Sequence, residues 1–202
     1  ANAYWKIVRI NGDGSIRLIY NGSEKNATGI NQTIGTSVFN EKKDSPAYVG
    51  YMYGNVNSDA FAEVHANEID STIKKYIDNW YKINIVDNNY SNYISSDAGF
   101  CGDRTINLGD GISASAYTYF SSYARFQNNE ALFVCNEPEQ NLYTTQESMI
   151  GNNALTYPVG LITYDELVFA GIDQKHTNRL NYLYSSQNYW SMTPGFFEAT
   201  GK

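Results

Sequence analysis

Histidine and cysteine carry much of the nucleophilic, redox and metal chemistry of proteins, and this chain of 202 residues has two of each. His65 sits in Glu63-Val64-His65-Ala66-Asn67 and His176 in Asp173-Gln174-Lys175-His176. Neither belongs to HExxH, CxxCH or another spacing that sets two ligands on one face. His65 reads as structural, placed to orient a carboxylate or a loop ahead of a helix, and His176 as part of an exposed polar connection. Cys101 and Cys135 lack a His or Cys neighbour at metal-ligand spacing, so zinc is not expected. The pair either remains as two buried thiols or forms a disulfide. A bridge would close a loop of about 34 residues, worth roughly 3.8 kcal/mol on a chain-entropy estimate. The bridge is favoured, because the composition looks extracellular.

Other catalytic chemistries find little support. There is no G-x-S-x-G elbow for a serine nucleophile, and the glycine motifs that cradle phosphates in kinases and nucleotide-binding folds are missing. Carboxylates meet turn glycines in Asn11 to Gly14, in Cys101-Gly102-Asp103 and in Leu108-Gly109-Asp110-Gly111, the kind of oxygen-rich text that calcium uses. None of the three completes an EF-hand, and Asp-Gly pairs are ordinary turns elsewhere. No metal and no cofactor are expected.

Binding is the better-represented chemistry. The chain holds 18 Tyr, 3 Trp and 24 Asn, while Leu, Ile, Val and Phe together make 44 residues, so amphipathic rings must share in the packing. Rings of this kind stack on sugar faces or fill protein pockets, and Asn and Ser nearby supply directed hydrogen bonds. The densest patch is Tyr182, Tyr184, Asn188, Tyr189 and Trp190, the candidate ligand-binding residues. With 14 basic against 21 acidic residues and a net charge of -7, nucleic acid is not an expected partner. No apolar run approaches the roughly 18 residues that a membrane span needs.

The elements that would position these residues are short. Residues 4 to 20 predict a hairpin around Asn11-Gly12-Asp13-Gly14. Residues 21 to 40 are polar and without period, a long loop with room for short strands around Ile30 to Ile34. A buried strand is expected within Ala47 to Gly54. Apolar residues at Ile69, Ile73, Tyr76, Ile77, Trp80 and Tyr81 predict a helix capped by Asp70 or Ser71, with Lys74, Lys75 and Asp78 off its apolar stripe. From 84 to 130 the text reads mostly as loop, with short strands near Tyr117 to Phe126 and Leu132 to Cys135. Thr163 and Glu166 form a capping box for a second helix that ends at Gly171. No linker or repeat divides the chain, and a single domain over 1–202 is the simplest division.

The segments YWKIVRINGDGSIRLIYNG, YVGYMYG, HANEIDSTIKKYIDNWY, FCGDR, LTYPVGLITYDELVFAG and YLYSSQNYWSMTPG, taken in this order, resemble uncharacterised repeated modules in surface proteins of gut-associated Gram-positive bacteria. Those modules are distantly similar to C-type-lectin-like domains of the formylglycine-generating-enzyme and bacterial variable-protein type. There a capped helix, here Thr163 to Gly171, precedes an aromatic region ending in YW-x-x-(S/T)-P, here Tyr189 to Pro194. The resemblance implies an α+β, C-type-lectin-like fold of short antiparallel strands with two helices and long loops. Such modules continue past that segment into one or two more strands, whereas this chain stops at Lys202, so the resemblance implies either a module truncated at its C-terminus or a closing strand supplied by a neighbouring module. In such folds the YW-x-x-(S/T)-P stretch is often structural, which places Trp190 in the core under the competing reading.

The expected function is non-enzymatic recognition or adhesion at a cell surface or in the extracellular space. Its partners would be a glycan, a host or bacterial surface protein, or a neighbouring module of the same polypeptide. The alternatives are a structural spacer and, more distantly, a hydrolase or metal-dependent enzyme. Sequons at Asn21, Asn26, Asn31 and Asn89 are expected by-products of Asn and Ser/Thr richness in a bacterial protein.

Overall fold

The glycine-rich turn and its flanking β-branched residues do form a hairpin, β1 (Trp5–Ile10) and β2 (Ile16–Tyr20), with Trp5 opposite Tyr20 and Ile10 opposite Ile16. This is a computed structural model, and it describes residues 2–172 and 178–198. Gly14 adopts φ +85°, and the Asp13 carboxylate accepts from the Ser15 amide at 2.9 Å, which closes the turn. Alternation leaves Trp5, Ile7, Ile16 and Leu18 exposed on the outer face. On the more buried face, Arg17 stands 3.1 Å from the Glu166 carboxylate and 4.1 Å above the Phe100 ring. That buried ion pair fixes the hairpin to the rest of the molecule.

Residues 21 to 40 contain a 3-10 turn at Gly29–Gln32, and the strands allowed for around Ile30 to Ile34 do not form. Gly22 and Gly29, at φ +94° and +60°, fold this stretch back on itself and give an extended segment no partner. A second 3-10 turn, Pro46–Tyr48, takes up the start of the expected buried strand. What remains is β3 (Met52–Tyr53), antiparallel to β4 (Ile69–Asp70), with the single-turn α1 (Phe61–Val64) between them.

The amphipathic helix is α2 (Thr72–Tyr81), extended by a π-helical turn over Lys82–Val86. Ser71 is its cap, accepting from the Lys74 amide at 3.1 Å. Ile73, Ile77, Tyr81 and Ile85 form the buried stripe, while Tyr76 lies at its margin. Lys74 corrects the reading that set it off the stripe, since it is 0 % exposed. Its ammonium lies 3.0 Å from Asp70 and 2.7 Å from Asp78, one helical turn to each side, and this double pairing compensates its desolvation.

The middle of the chain is more regular than its turn-rich text predicts. β5 (Phe100–Cys101) pairs with β8 (Leu142–Tyr143), and β6 (Ile106–Leu108) and β7 (Thr118–Phe120) belong to a three-stranded antiparallel sheet. α3 (Ser121–Asn128) occupies residues read as loop or strand, and Asn129 ends it in the left-handed conformation at φ 55°. The turn formers there are helix ends. No strand forms over 132–135, where Phe133 and Val134 are exposed. α4 (Pro138–Asn141) follows, then α5 (Tyr164–Phe169) with the complete Thr163–Glu166 capping box. β9 (Phe196–Phe197) completes the three-stranded sheet against β7, so a strand does follow the YW-x-x-(S/T)-P segment.

The described residues thus form a mixed helix-and-sheet structure with five short α-helices, rather than two, and four small antiparallel sheets. Their principal core joins Tyr51, Met52, Ile73, Ile77, Phe100, Tyr143, Leu155 and Met192. Two of these eight are tyrosines, and the Met52 amide donates to the Tyr143 hydroxyl at 3.4 Å, so the phenol is packed and satisfied together. Among the described residues no helix is long and apolar enough to cross a membrane.

Candidate functional site

An open groove of about 450 Å³ lies between β1, the 21–32 loop and residues 179–186. Its shape follows from local chemistry. A side chain at Gly22 would place its Cβ 2.3 Å from the Asn31 carbonyl oxygen and 2.7 Å from the Ala27 Cβ, so only glycine allows the loop to close this tightly. The Gln32 amide donates to the Asn21 side-chain oxygen at 2.8 Å and ties the two ends of the loop together. Opposite, the Asn181 amide donates to the Ala170 carbonyl at 2.6 Å, and its side-chain oxygen accepts from the Leu183 amide at 2.9 Å. The Asn181 carbonyl accepts from the Tyr184 amide, also at 2.9 Å. This local network anchors the 181–184 stretch and sets Tyr184 on the groove wall.

Of the five predicted site residues, Tyr184 alone lines the groove. Tyr182, 45 % exposed, turns its hydroxyl to the Val8 carbonyl at 3.4 Å, a long bond onto the hairpin. Asn188 is exposed. Tyr189 is 44 % exposed, and burial of its remaining surface pushes its phenol above the usual tyrosine range. Trp190 is 51 % exposed; its indole N–H donates to the Ser37 carbonyl at 3.0 Å and its edge meets the Phe39 ring at 5.6 Å. The core role belongs to its neighbours. Met192 is buried with its amide donating to Ile162, and Thr193 Oγ1 accepts from the Tyr164 amide and donates to the Cys101 carbonyl. The aromatic segment therefore straddles the hairpin and the loop instead of forming one compact cluster.

Sequence reasoning missed the rest of the groove, including Lys6, Asn21, Asn26, Thr28, Gln32 and Arg179. The available signal was the Asn-rich 21–32 text, whose sequons at Asn21 and Asn26 mark two lining residues. No periodicity joins that loop to position 184.

A second cavity, about 200 Å³, lies among Phe61, His65, Arg104, Glu137, Gln140 and Asn141. Its basic groups are committed. The Arg104 guanidinium donates to the Met52 carbonyl at 2.8 Å and to the Asn67 side-chain oxygen at 2.7 Å. His65 is 3 % exposed, with its ring against Phe61 and Nε2 2.9 Å from the Gly111 carbonyl oxygen. Burial, reinforced by the Arg104 charge, pulls its pKa down to about 4, so the imidazole is neutral near pH 7. His65 thus bonds a loop carbonyl. His176 lies outside the described residues.

Cys101 and Cys135 are joined in a disulfide, with Cα atoms 5.6 Å apart. The three stretches read for calcium are engaged otherwise. Asp13 accepts from Ser15; Asp103 is fully buried and accepts from Arg125 at 2.6 Å and Ser121 at 2.9 Å. Asp110 accepts from the Ile112 and Ser113 amides and the Ser113 hydroxyl, and these bonds hold its carboxyl down to about 2. Among the described residues no three His, Cys, Asp or Glu side chains are grouped to hold a metal ion.

Comparison with protein-family models, with curated proteins and with solved structures gave no match.

Proposed function

We propose that this chain is a non-enzymatic recognition or adhesion module of an extracellular or cell-surface protein, C-type-lectin-like in organisation, and that it binds carbohydrate in the groove beside Tyr184. The observation that carries this reading is the groove itself. Its volume, about 450 Å³, suits a small ligand, and its wall sets a half-buried tyrosine beside Asn, Gln, Thr and Ser side chains. A pyranose offers an apolar face to an aromatic ring and hydroxyls to amides, and this lining supplies both kinds of partner.

Further support comes from what surrounds the groove. Tyr182, Tyr189 and Trp190 are each about half exposed, which favours a recognition surface over a spacer whose rings would be buried. The disulfide fits an oxidising compartment outside the cytoplasm. The histidine of the second cavity is engaged by a backbone carbonyl, and the cysteines by each other, which leaves a hydrolytic reading without a described nucleophile-base pair.

The test is an array of glycans and surface proteins probed with the full chain and with Tyr184→Ala. Glycan binding that falls at least about tenfold in Tyr184→Ala supports the reading. Binding of proteins alone, or glycan binding indifferent to Tyr184→Ala, overturns it.

A further inference from the structure

The groove is set apart by charge as well as shape. In a chain of net charge -7, its lining contains Lys6 and Arg179 and no Asp or Glu. Neither cation forms an ion pair or a side-chain hydrogen bond among the described residues. The buried basic groups elsewhere are spent internally, Arg17 on Glu166, Lys74 on Asp70 and Asp78, Arg125 on Asp103, while other lysines unpaired among the described residues, such as Lys42 and Lys75, are exposed. Lys6 lies on the hairpin face opposite the exposed Trp5 and Ile7 and is itself half-buried. Partial burial, with no compensating carboxylate, lowers its pKa.

The neutral lining completes the pattern. Asn21 uses its side-chain oxygen to accept from Gln32, which leaves its NH₂ as a donor towards the groove. Asn26, Thr28 and Ser186 line the same space and add amide and hydroxyl donors. A concavity with two cations, several neutral donors, one tyrosine ring and no carboxylate is complementary to an anion carried on a sugar. Resting on the carbohydrate reading above, we infer that the groove selects acidic glycans, with a carboxylate or sulfate group held by Lys6 and Arg179 and the attached ring placed against Tyr184. Arg can take such a group through two N–H donors, and Lys adds a point charge.

The experiment is an array of oligosaccharide cores, each printed in neutral, carboxylated and sulfated form, probed with the full chain, Lys6→Gln, Arg179→Gln and Tyr184→Ala. The expected result is binding of acidic forms at least about tenfold tighter than their neutral cores, weakened about tenfold by either charge-removing variant, with unchanged melting temperatures. The carboxylated and sulfated arms distinguish the two sources of charge. Equal binding of neutral and acidic forms, lost in Tyr184→Ala but kept in Lys6→Gln and Arg179→Gln, overturns the charge selection while the carbohydrate reading stands. Absence of binding to every core overturns both.

Discussion

Two concavities of this protein, the groove beside Tyr184 and the small cavity beside His65, are built from similar residue types that are engaged in opposite ways. The small cavity holds His65 and Arg104 with Glu137, Gln140 and Asn141, and its basic groups are bonded to the protein's own backbone and side chains. In the groove Lys6 and Arg179 are spent on nothing described, and the loop that carries Asn21 and Gln32 is closed by the bond between those two side chains and joined to Tyr4 through its backbone. On the proposed reading, the difference separates polar residues that serve the fold from those left for a ligand. A buried guanidinium or imidazole draws its hydrogen bonds from the protein around it and so reports architecture, whereas a half-exposed cation can wait for a partner.

The largest expected effect lies on the architectural side. Cys101 precedes Arg104 by three residues, and Cys135 precedes Glu137 by two, so the disulfide ties together two walls of the small cavity. Replacing both cysteines by serine is expected to lower stability by about 4 kcal/mol in urea denaturation, from loss of the constraint on the unfolded chain. Ligand binding in the groove should survive under conditions where the variant remains folded. Loss of groove binding with the fold intact would join the two regions that are separated here.

A smaller effect follows from His65. Its folded pKa, about 4, lies below the usual 6.5, so the unfolded chain binds the proton more readily. The stability it protects is fully present above pH 6.5 and is lost as pH falls towards 4, by up to about 3 kcal/mol. The raised carboxyls of Asp78 and Asp165 act in the opposite direction, so the quantity to measure is the difference in pH dependence between wild type and His65→Gln. A difference that stays flat between pH 7 and 4 would show His65 to be no part of the buried architecture.

The smallest effects on stability belong to the groove. Lys6→Gln and Arg179→Gln should each change unfolding free energy by less than about 0.5 kcal/mol, since neither side chain bonds to a described residue. A loss above about 1 kcal/mol in either would place that cation on the architectural side of the comparison.

Local signals were legible in the sequence where one short stretch contains its own instructions. The Asn11 to Gly14 turn, the Ser71 cap and the Thr163–Glu166 capping box all depend on residues within four positions of one another. Lys74 was misread because helical periodicity ranks residues by hydrophobicity, whereas its burial depends on two carboxylates one turn away. α3 was obscured by flanking Ser and Asn residues that are its ends. The candidate site was the least legible. Tyr184 was read from aromatic density, but its companions Lys6 and Asn21 come from the far end of the chain and meet it only through tertiary structure. Trp190 shows the same limit in reverse: its neighbours Met192 and Thr193 take the structural role that its motif suggested for it.

The central claim, that the groove is the ligand site, is tested most directly by amide NMR of the full chain titrated with neutral and acidic oligosaccharides in turn. The account predicts saturable shifts centred on Lys6, Asn21, Gly29 and Tyr184, with His65 and Arg104 unmoved. Shifts centred on Phe61, Arg104 and Gln140, or no saturable shifts with any oligosaccharide, would contradict it.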